Sequence, residues 1–172
     1  RSAAARDRPP DPQRECFILL DAGEQTVGQM ERVFGAAATS AILQNLAAIW
    51  ISHRHGDHHS GLSALLERRS KSAIVKGSSS KAFSVPLVVI APQAVLEYTR
   101  TCMELIGLSS VGQPRPFFMV HHREFARPDC PVRRAFFAAH GRAVRALRSV
   151  PVDHCPDAWG LVLDLAGAEG GG

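Results

Sequence analysis

Short apolar runs alternate along this chain with segments whose apolar residues recur every three or four positions. Four runs are too short for helices, and their composition predicts buried strands: 16–20, 48–52, 86–91 and 160–165. Four segments have helical spacing instead: 27–34, 39–46, 60–68 and 92–106. Strands that alternate with helices predict an α/β fold built in layers.

Other parts of the chain carry weaker patterns. Residues 117–120 and 143–152 could be extended, and residues 132–139 could be helical. Residues 1–15 are polar and rich in proline, which predicts a disordered lead-in to a single domain over 16–172. The Ser- and Lys-rich stretch 69–84 predicts a flexible surface insertion within that domain.

Composition narrows the class of protein. With 172 residues, 45% of them hydrophobic and 21% charged, the chain has the make-up of one globular domain. No apolar run approaches the roughly 18 residues of a membrane-spanning helix, so we expect no membrane partner. The net charge of +4 suits a polyanion, but the basic residues are scattered, and the charge alone does not indicate nucleic acid. The wide spacing of the four cysteines argues against a disulfide framework.

Half of the eight histidines fall in one short window directly after the apolar run 48–52. The window reads His53-Arg54-His55-Gly56-Asp57-His58-His59. An accidental cluster of surface histidines is a poor alternative, because α/β folds place their sites at the carboxyl ends of strands. The position and the density of the histidines together predict a metal site.

The spacing within the window suits two neighbouring divalent metals. His53 and His55 are two residues apart in extended backbone, so their side chains point the same way and can reach one ion. Asp57 and His58 follow on the next turn and can reach a second ion. Imidazole nitrogen and carboxylate oxygen both suit Zn²⁺. We expect the loop to fold so tightly around the site at Gly56 that a Cβ would not fit there.

The window resembles the signature of the metallo-β-lactamase superfamily, and its flanks are more specific. The segment Phe17-Ile-Leu-Leu-Asp-Ala-Gly-Glu-Gln-Thr26 is similar to the Leu-Leu-Asp-Cys-Gly-Glu-Gly-Thr segment of ribonuclease Z, the endonuclease that trims the 3′ trailer from precursor tRNA. The segment Pro151-Val-Asp-His-Cys-Pro-Asp-Ala-Trp-Gly160 resembles the C-terminal half of its long form. The resemblance spans about residues 16–165 and implies an αββα sandwich.

The resemblance also implies roles for individual residues. His53 and His55 would bind a first zinc, with His154 as its third protein ligand, while Asp57 and His58 would bind a second zinc. In such a site two adjacent zinc ions activate water for attack on a phosphodiester. Asp57 would also hold or deprotonate this attacking water. The implied substrate is precursor tRNA, and the implied location is the nucleus or the mitochondrion.

Asp21 resembles a family position near the metal loop, where it would orient a ligand histidine. A purely local role in an Asx-type turn after the strand is the alternative. Gln25 stands where the family has glycine, and it would be strained if that position requires a positive φ.

Some of the family's motifs are absent from the sequence. A bridging aspartate in a Ser-Gly-Asp-Thr segment and a final histidine would follow residue 165, and neither is present, because Asp164 lies within the preceding strand. The resemblance therefore implies an internal fragment of the catalytic half with an incomplete fold. Such a fragment is expected to hold at most one zinc tightly.

Three functions remain open from the sequence. The first is a zinc-dependent endoribonuclease, and the second is another metal-dependent hydrolase of the same fold, which the two flanking segments argue against. The third is a non-catalytic scaffold or binding subunit, or an inactive fragment, which the missing ligands favour. Nothing in the sequence indicates the oligomeric state.

Overall fold

The structure, a computed structural model, describes residues 16–74, 87–108 and 117–166. Six strands lie in these residues: β1 (Phe17–Leu20), β2 (Leu46–Trp50), β3 (Leu87–Ala91), β4 (Phe117–His121), β5 (Val144–Pro151) and β6 (Trp159–Leu165). Seven helices connect them: α1 (Thr26–Phe34), α2 (Ala36–Gln44), α3 (Gly56–His59), α4 (Leu62–Ile74), α5 (Gln93–Leu105), α6 (His122–Ala126) and α7 (Pro131–His140). The predicted lead-in at 1–15 falls outside the described residues.

Four of the strands form one parallel sheet in the order β1-β2-β3-β4. Parallel strands need crossover connections, and helices provide them in each case. The carboxyl ends of all four strands therefore lie at the same edge, where an α/β sheet places its ligands. The remaining strands, β5 and β6, form a separate antiparallel hairpin.

The two faces of the parallel sheet bury different side chains, because successive residues of a strand point to opposite sides. On one face Ile49 and Val89 pack in a core with apolar residues of α1, α2, α4 and α5. On the other face Trp50 and Ile90 pack with residues of α6, α7 and the β5–β6 hairpin. The layers are helices, parallel sheet, and then a hairpin flanked by two helices. The α/β prediction is confirmed.

Some predicted elements differ from the structure. The helix expected at 60–68 continues to Ile74, so the first six residues of the predicted flexible insertion are helical, and that prediction was wrong for them. Burial and a polar contact explain the difference: Arg69 and Ser70 are buried, and Arg69 donates a hydrogen bond to the Leu43 carbonyl of α2. The rest of the insertion, 75–84, lies outside the described residues. Helix α6 was not predicted.

A polar contact ties the hairpin to the parallel sheet through His122 of α6. The ring is buried, and its nitrogens lie 2.7 Å from the Ser149 hydroxyl of β5 and 2.9 Å from the Ile51 carbonyl. Trp50 donates to the same hydroxyl at 2.9 Å. Desolvation lowers the pKa of His122 from 6.5 to about 4, although the hydrogen bond to Ile51 opposes the shift. The neutral ring is therefore the form that the fold accommodates.

This lowered pKa predicts a loss of stability in acid. Above pH 6.5 His122 is neutral in the folded and in the unfolded chain. Between pH 6.5 and 4 the imidazole is protonated only in the unfolded chain, so the folded state loses stability as the pH is lowered. The free energy of unfolding should drop by about 3 kcal/mol from this group across that range. Urea unfolding in EDTA at several pH values measures it. The variant His122→Gln should show a flatter pH dependence, and an equal slope in both proteins would contradict the assignment.

Candidate metal centre

The histidine loop begins where β2 ends, at the carboxyl edge of the parallel sheet. All five residues of β2 are buried, which fixes the direction in which the chain leaves the sheet. His53 follows two residues after Ile51 and is only 7% exposed, whereas His55 is exposed. The short helix α3 then carries Asp57 and His58. The loop thus presents imidazoles in succession above the end of one buried strand.

A third histidine joins the first two from the β5–β6 connection. One nitrogen each of His53, His55 and His154 lie within 4.8 Å of one another, an arrangement that could hold a metal ion. The Nε2 atom of His53 lies 3.1 Å from Nδ1 of His55. The ring of His154 lies 4.7 Å from that of His53 and 5.3 Å from that of His55. Residues that are a hundred positions apart in the chain therefore form one cluster.

The predicted second pair of ligands lies beside this cluster. His58 Nε2 is 3.6 Å from the Asp57 carboxylate, and the ring of His58 is 4.0 Å from that of His53. The Asp57 side chain is 81% exposed. Within the described segments, the three-histidine cluster is the one group of three or more residues with the geometry of a metal site. Asp57 and His58 contribute a pair of potential ligands next to it.

Asp21 fixes the orientation of His58 from the end of β1. Its carboxylate lies 2.7 Å from Nδ1 of His58, and it also accepts hydrogen bonds from the backbone N–H and the hydroxyl of Ser52. A carboxylate only accepts hydrogen bonds, so in a neutral His58 ring the proton lies on Nδ1 and the free lone pair on Nε2. Asp21 itself has a φ of 58°, which aspartate tolerates better than most residues. The side chain therefore contacts the histidine loop rather than only its own turn.

The loop after β1 and the histidine loop touch through their backbones. Ala22 donates to the carbonyl of His58 at 2.7 Å, and Gly61 donates to the carbonyl of Ala22 at 2.9 Å. A Cβ on Gly23 would lie 2.1 Å from the carbonyl oxygen of Asp57, and one on Gly61 would lie 2.0 Å from that of Gly23. Only glycine allows this approach.

The expectation for Gly56 was wrong. A Cβ at this position would meet no heavy atom within 4 Å, because the residue starts α3 on its exposed side. The tight approach lies instead at the two glycines that join the loops. Periodicity and residue type do not show which glycine of a loop faces another segment.

Gln25 adopts the strained conformation that the missing glycine implied. Its φ is 62° and its ψ is 14°, in the left-handed region, immediately before α1. That conformation costs a residue with a Cβ roughly 1–2 kcal/mol. The side chain makes no capping hydrogen bond to the helix, so no such bond offsets the strain.

Burial favours the neutral form of His53, the innermost histidine of the cluster. Desolvation lowers the pKa of His53 most, and the positive charges that neighbouring imidazoles would carry add to the effect, while Asp21 opposes it. These neighbours are His58, His154 and His55. Neutral imidazole is the form of histidine that binds a metal ion. The electrostatics of the cluster therefore favour the ligating form.

Two histidines outside the predicted site have protein partners for their ring nitrogens. His122 belongs to the buried contact with the hairpin, and His121 lies 3.1 Å from the Asp157 carboxylate. Neither periodicity nor spacing indicated the pair of His121 and Asp157, because 36 residues separate them. The role of Ser52 as a partner of Asp21 was also missed, since a serine after a strand is common.

The fold and the histidine cluster at the sheet edge define a class. A parallel sheet covered by helices on one face and by a hairpin on the other, with the histidine loop after a central strand, is a metallo-β-lactamase fold. The crystal structure of a long-form ribonuclease Z from yeast has this fold, with a TM-score of 0.60, 22% identity and coverage of 85% of this chain and 22% of that one. No family model matches the chain.

Sequence relatives identify the family. The chain is 38% identical over 151 residues to rat zinc phosphodiesterase ELAC protein 2, which covers 85% of the chain. It is 28% identical over 155 residues to the mitochondrial ribonuclease Z of Drosophila melanogaster and 27% identical over 180 residues to mitochondrial tRNase Z TRZ3 of Arabidopsis thaliana. The chain belongs to the ribonuclease Z family. It spans 17–20% of the length of these three relatives.

Proposed function

We propose that the chain carries the zinc-binding part of an endoribonuclease that removes the 3′ trailer from precursor tRNA. The proposal rests on the convergence of His53, His55 and His154 in a chain related to ribonuclease Z. Relatives described as tRNase Z and as zinc phosphodiesterase support the substrate and the metal.

The cluster fits zinc by the chemistry of its donors. Three histidine nitrogens are a ligand set of catalytic zinc sites, which leave the fourth tetrahedral position open. Two nitrogens on one tetrahedral zinc stand roughly 3.3 Å apart, and the ring nitrogens of His53 and His55 are 3.1 Å apart. His53, His55 and His154 would hold the ion. When bound, zinc supplies positive charge that polarises a phosphodiester and favours the ionisation of water.

The two neighbouring acidic residues, Asp57 and Asp21, would have different roles at the site. Asp57 places an exposed carboxylate beside the cluster, where it can accept that proton. Asp21 holds His58 in one tautomer and leaves its Nε2 free to bind a second ion. Asp57 and His58 alone give that ion only two protein ligands, so we expect one tightly held zinc per chain.

Precursor tRNA and the mitochondrion are the proposed partner and location. RNA suits the net charge of +4, because phosphates attract basic proteins. Two of the relatives are described as mitochondrial, which favours the mitochondrion, and none of the three reported relatives is described as nuclear. In the described segments no helix is both long and apolar enough to cross a membrane.

A non-catalytic metal-binding unit is the second candidate function. The observation that favours it is that the described residues contain one three-ligand cluster, whereas a two-metal hydrolase needs further ligands around Asp57 and His58. The two candidates differ in whether the zinc-loaded chain breaks a phosphodiester bond. A hydrolase for another substrate, such as a thioester or a lactam, would spare RNA.

Cleavage of a precursor tRNA with a labelled 3′ trailer separates these functions. In excess zinc, which would also fill the weaker second position at Asp57 and His58, the chain should release the trailer, and EDTA should stop the release until zinc is added back. Asp57→Asn should slow the release at least about 100-fold, because it removes the proton acceptor. His140→Ala, which removes a histidine outside the cluster, should cleave normally. A zinc-loaded chain that releases no trailer would favour the non-catalytic unit.

A further inference from the structure

The segment that supplies the third histidine has no regular secondary structure of its own. His154 lies between the end of β5 at Pro151 and the start of β6 at Trp159, and its side chain is exposed. The other two histidines leave the parallel sheet, which is a different part of the fold. The position of His154 relative to them must therefore be set by contacts that cross between the hairpin and the sheet.

Asp157 joins the connection to two residues outside the hairpin and to one within it. Its carboxylate accepts a hydrogen bond from the backbone N–H of Gln93 at 2.9 Å and one from the indole of Trp159 at 2.8 Å. His121 Nε2 lies 3.1 Å from both of its oxygens. These donors belong to the start of α5, the start of β6 and the end of β4. One carboxylate thus joins the connection to α5 and to β4.

The direction of each hydrogen bond is determined. The backbone N–H of Arg123 donates to Nδ1 of His121, so the proton of that ring is on Nε2 and is donated to Asp157. Both carboxylate oxygens therefore face N–H groups only. Desolvation raises the pKa of Asp157, but the hydrogen bonds that it accepts outweigh this effect, and the pKa lies below its ordinary value. The carboxylate is ionised, and the contacts are charge-assisted.

The backbone at this position is strained. Asp157 has a φ of 65°, in the left-handed region, so the turn that follows His154 is held in a conformation that residues with a Cβ adopt only when their surroundings impose it. A further contact supports the same end of the segment. The backbone N–H of Trp159 donates to the carbonyl of Ser52, the residue before His53, at 3.0 Å. The connection is thereby fixed beside the histidine loop.

We propose that Asp157 is a positioning residue that holds His154 in place for zinc, through its hydrogen bonds to Gln93, His121 and Trp159. The inference rests on the proposed zinc site and adds a residue to it. Asp157 would not touch the ion. It would lower the cost of ordering the connection, so that His154 meets zinc without first having to be brought to the cluster.

The variant Asp157→Asn tests this role with little change in shape. Asparagine tolerates a positive φ. Its amide nitrogen, however, would replace one carboxylate oxygen and would face an N–H group that it cannot accept a hydrogen bond from. The zinc dissociation constant, measured by competition with a chromophoric chelator, should rise by about 10–100-fold. Asp153→Asn is the matched control, because it removes the same charge one residue from His154. It should leave the dissociation constant within a few-fold of the wild-type value.

A double-mutant cycle distinguishes positioning from general destabilisation. If Asp157 acts through His154, its substitution should have little further effect on zinc affinity in the His154→Ala background. An equal loss in both backgrounds, or no loss in the single variant, would overturn the proposal. Failure of the wild-type chain to bind zinc would instead overturn the proposed function. If Asp157→Asn does not fold, His121→Phe can replace it, because this variant removes one hydrogen-bond donor to Asp157 and keeps an aromatic ring. We expect a several-fold loss of zinc affinity from His121→Phe when His154 is present and none in the His154→Ala background.

Discussion

Replacing His154 with alanine is expected to lower the affinity of the chain for zinc by more than about 100-fold. Loss of a group that only orients a ligand lowers metal affinity by about 10–100-fold, and His154 would be a ligand itself. The remaining pair, His53 and His55, lies on one loop and leaves zinc with two protein donors. Competition with a chelator of known affinity measures the change.

The control for this prediction is His140→Ala, which removes a half-buried histidine of α7. Its ring contacts Cys16 and Phe136 and takes no part in the three-histidine cluster. Zinc affinity should stay unchanged in this variant. Equal affinities of wild type and His154→Ala would mean that the β5–β6 connection contributes no ligand.

Gly61→Ala is expected to destabilise the fold by more than about 3 kcal/mol. The added methyl would lie 2.0 Å from the carbonyl oxygen of Gly23 and 3.1 Å from that of Ala22, and both are backbone atoms that a side-chain rotation cannot move. The loop after β1 would have to separate from the histidine loop. The hydrogen bond from Gly61 to Ala22 would be lost as well. Urea unfolding in EDTA measures the effect without a contribution from zinc.

Gly56→Ala provides the matched control in the same loop. A Cβ at this position meets no heavy atom within 4 Å, and the residue begins the helical turn α3. Alanine should be neutral here or stabilise the chain by up to about 1 kcal/mol, because it restricts the unfolded backbone. If the two alanine variants were equally stable, the close contact between the loops would be contradicted.

The strands and most helices could be predicted from the sequence because each is specified locally. The run 86–91 is apolar throughout and becomes β3, buried on both faces. The helix over 27–34 follows from Val27, Met30 and Phe34 at helical spacing, and Gly35 ends it with a φ of 80°. The histidine loop was equally visible, since its residues are adjacent in the chain.

The parts that were not predicted depend on contacts between distant segments. Asp157 and His121 form a pair that neither periodicity nor spacing indicates. The extension of α4 beyond residue 68 depends on burial of Arg69 against α2, and a basic, serine-containing stretch suggested a loop instead. His154 entered the candidate site through family resemblance, because its own neighbourhood resembles a turn.

The zinc content of the purified chain tests the central claim most directly. The chain is loaded with zinc, dialysed against metal-free buffer, and analysed by plasma mass spectrometry together with a protein concentration from amino-acid analysis. We predict about one zinc per chain, held by His53, His55 and His154. A folded chain that retains no zinc, or one that retains two, would contradict this account of the site.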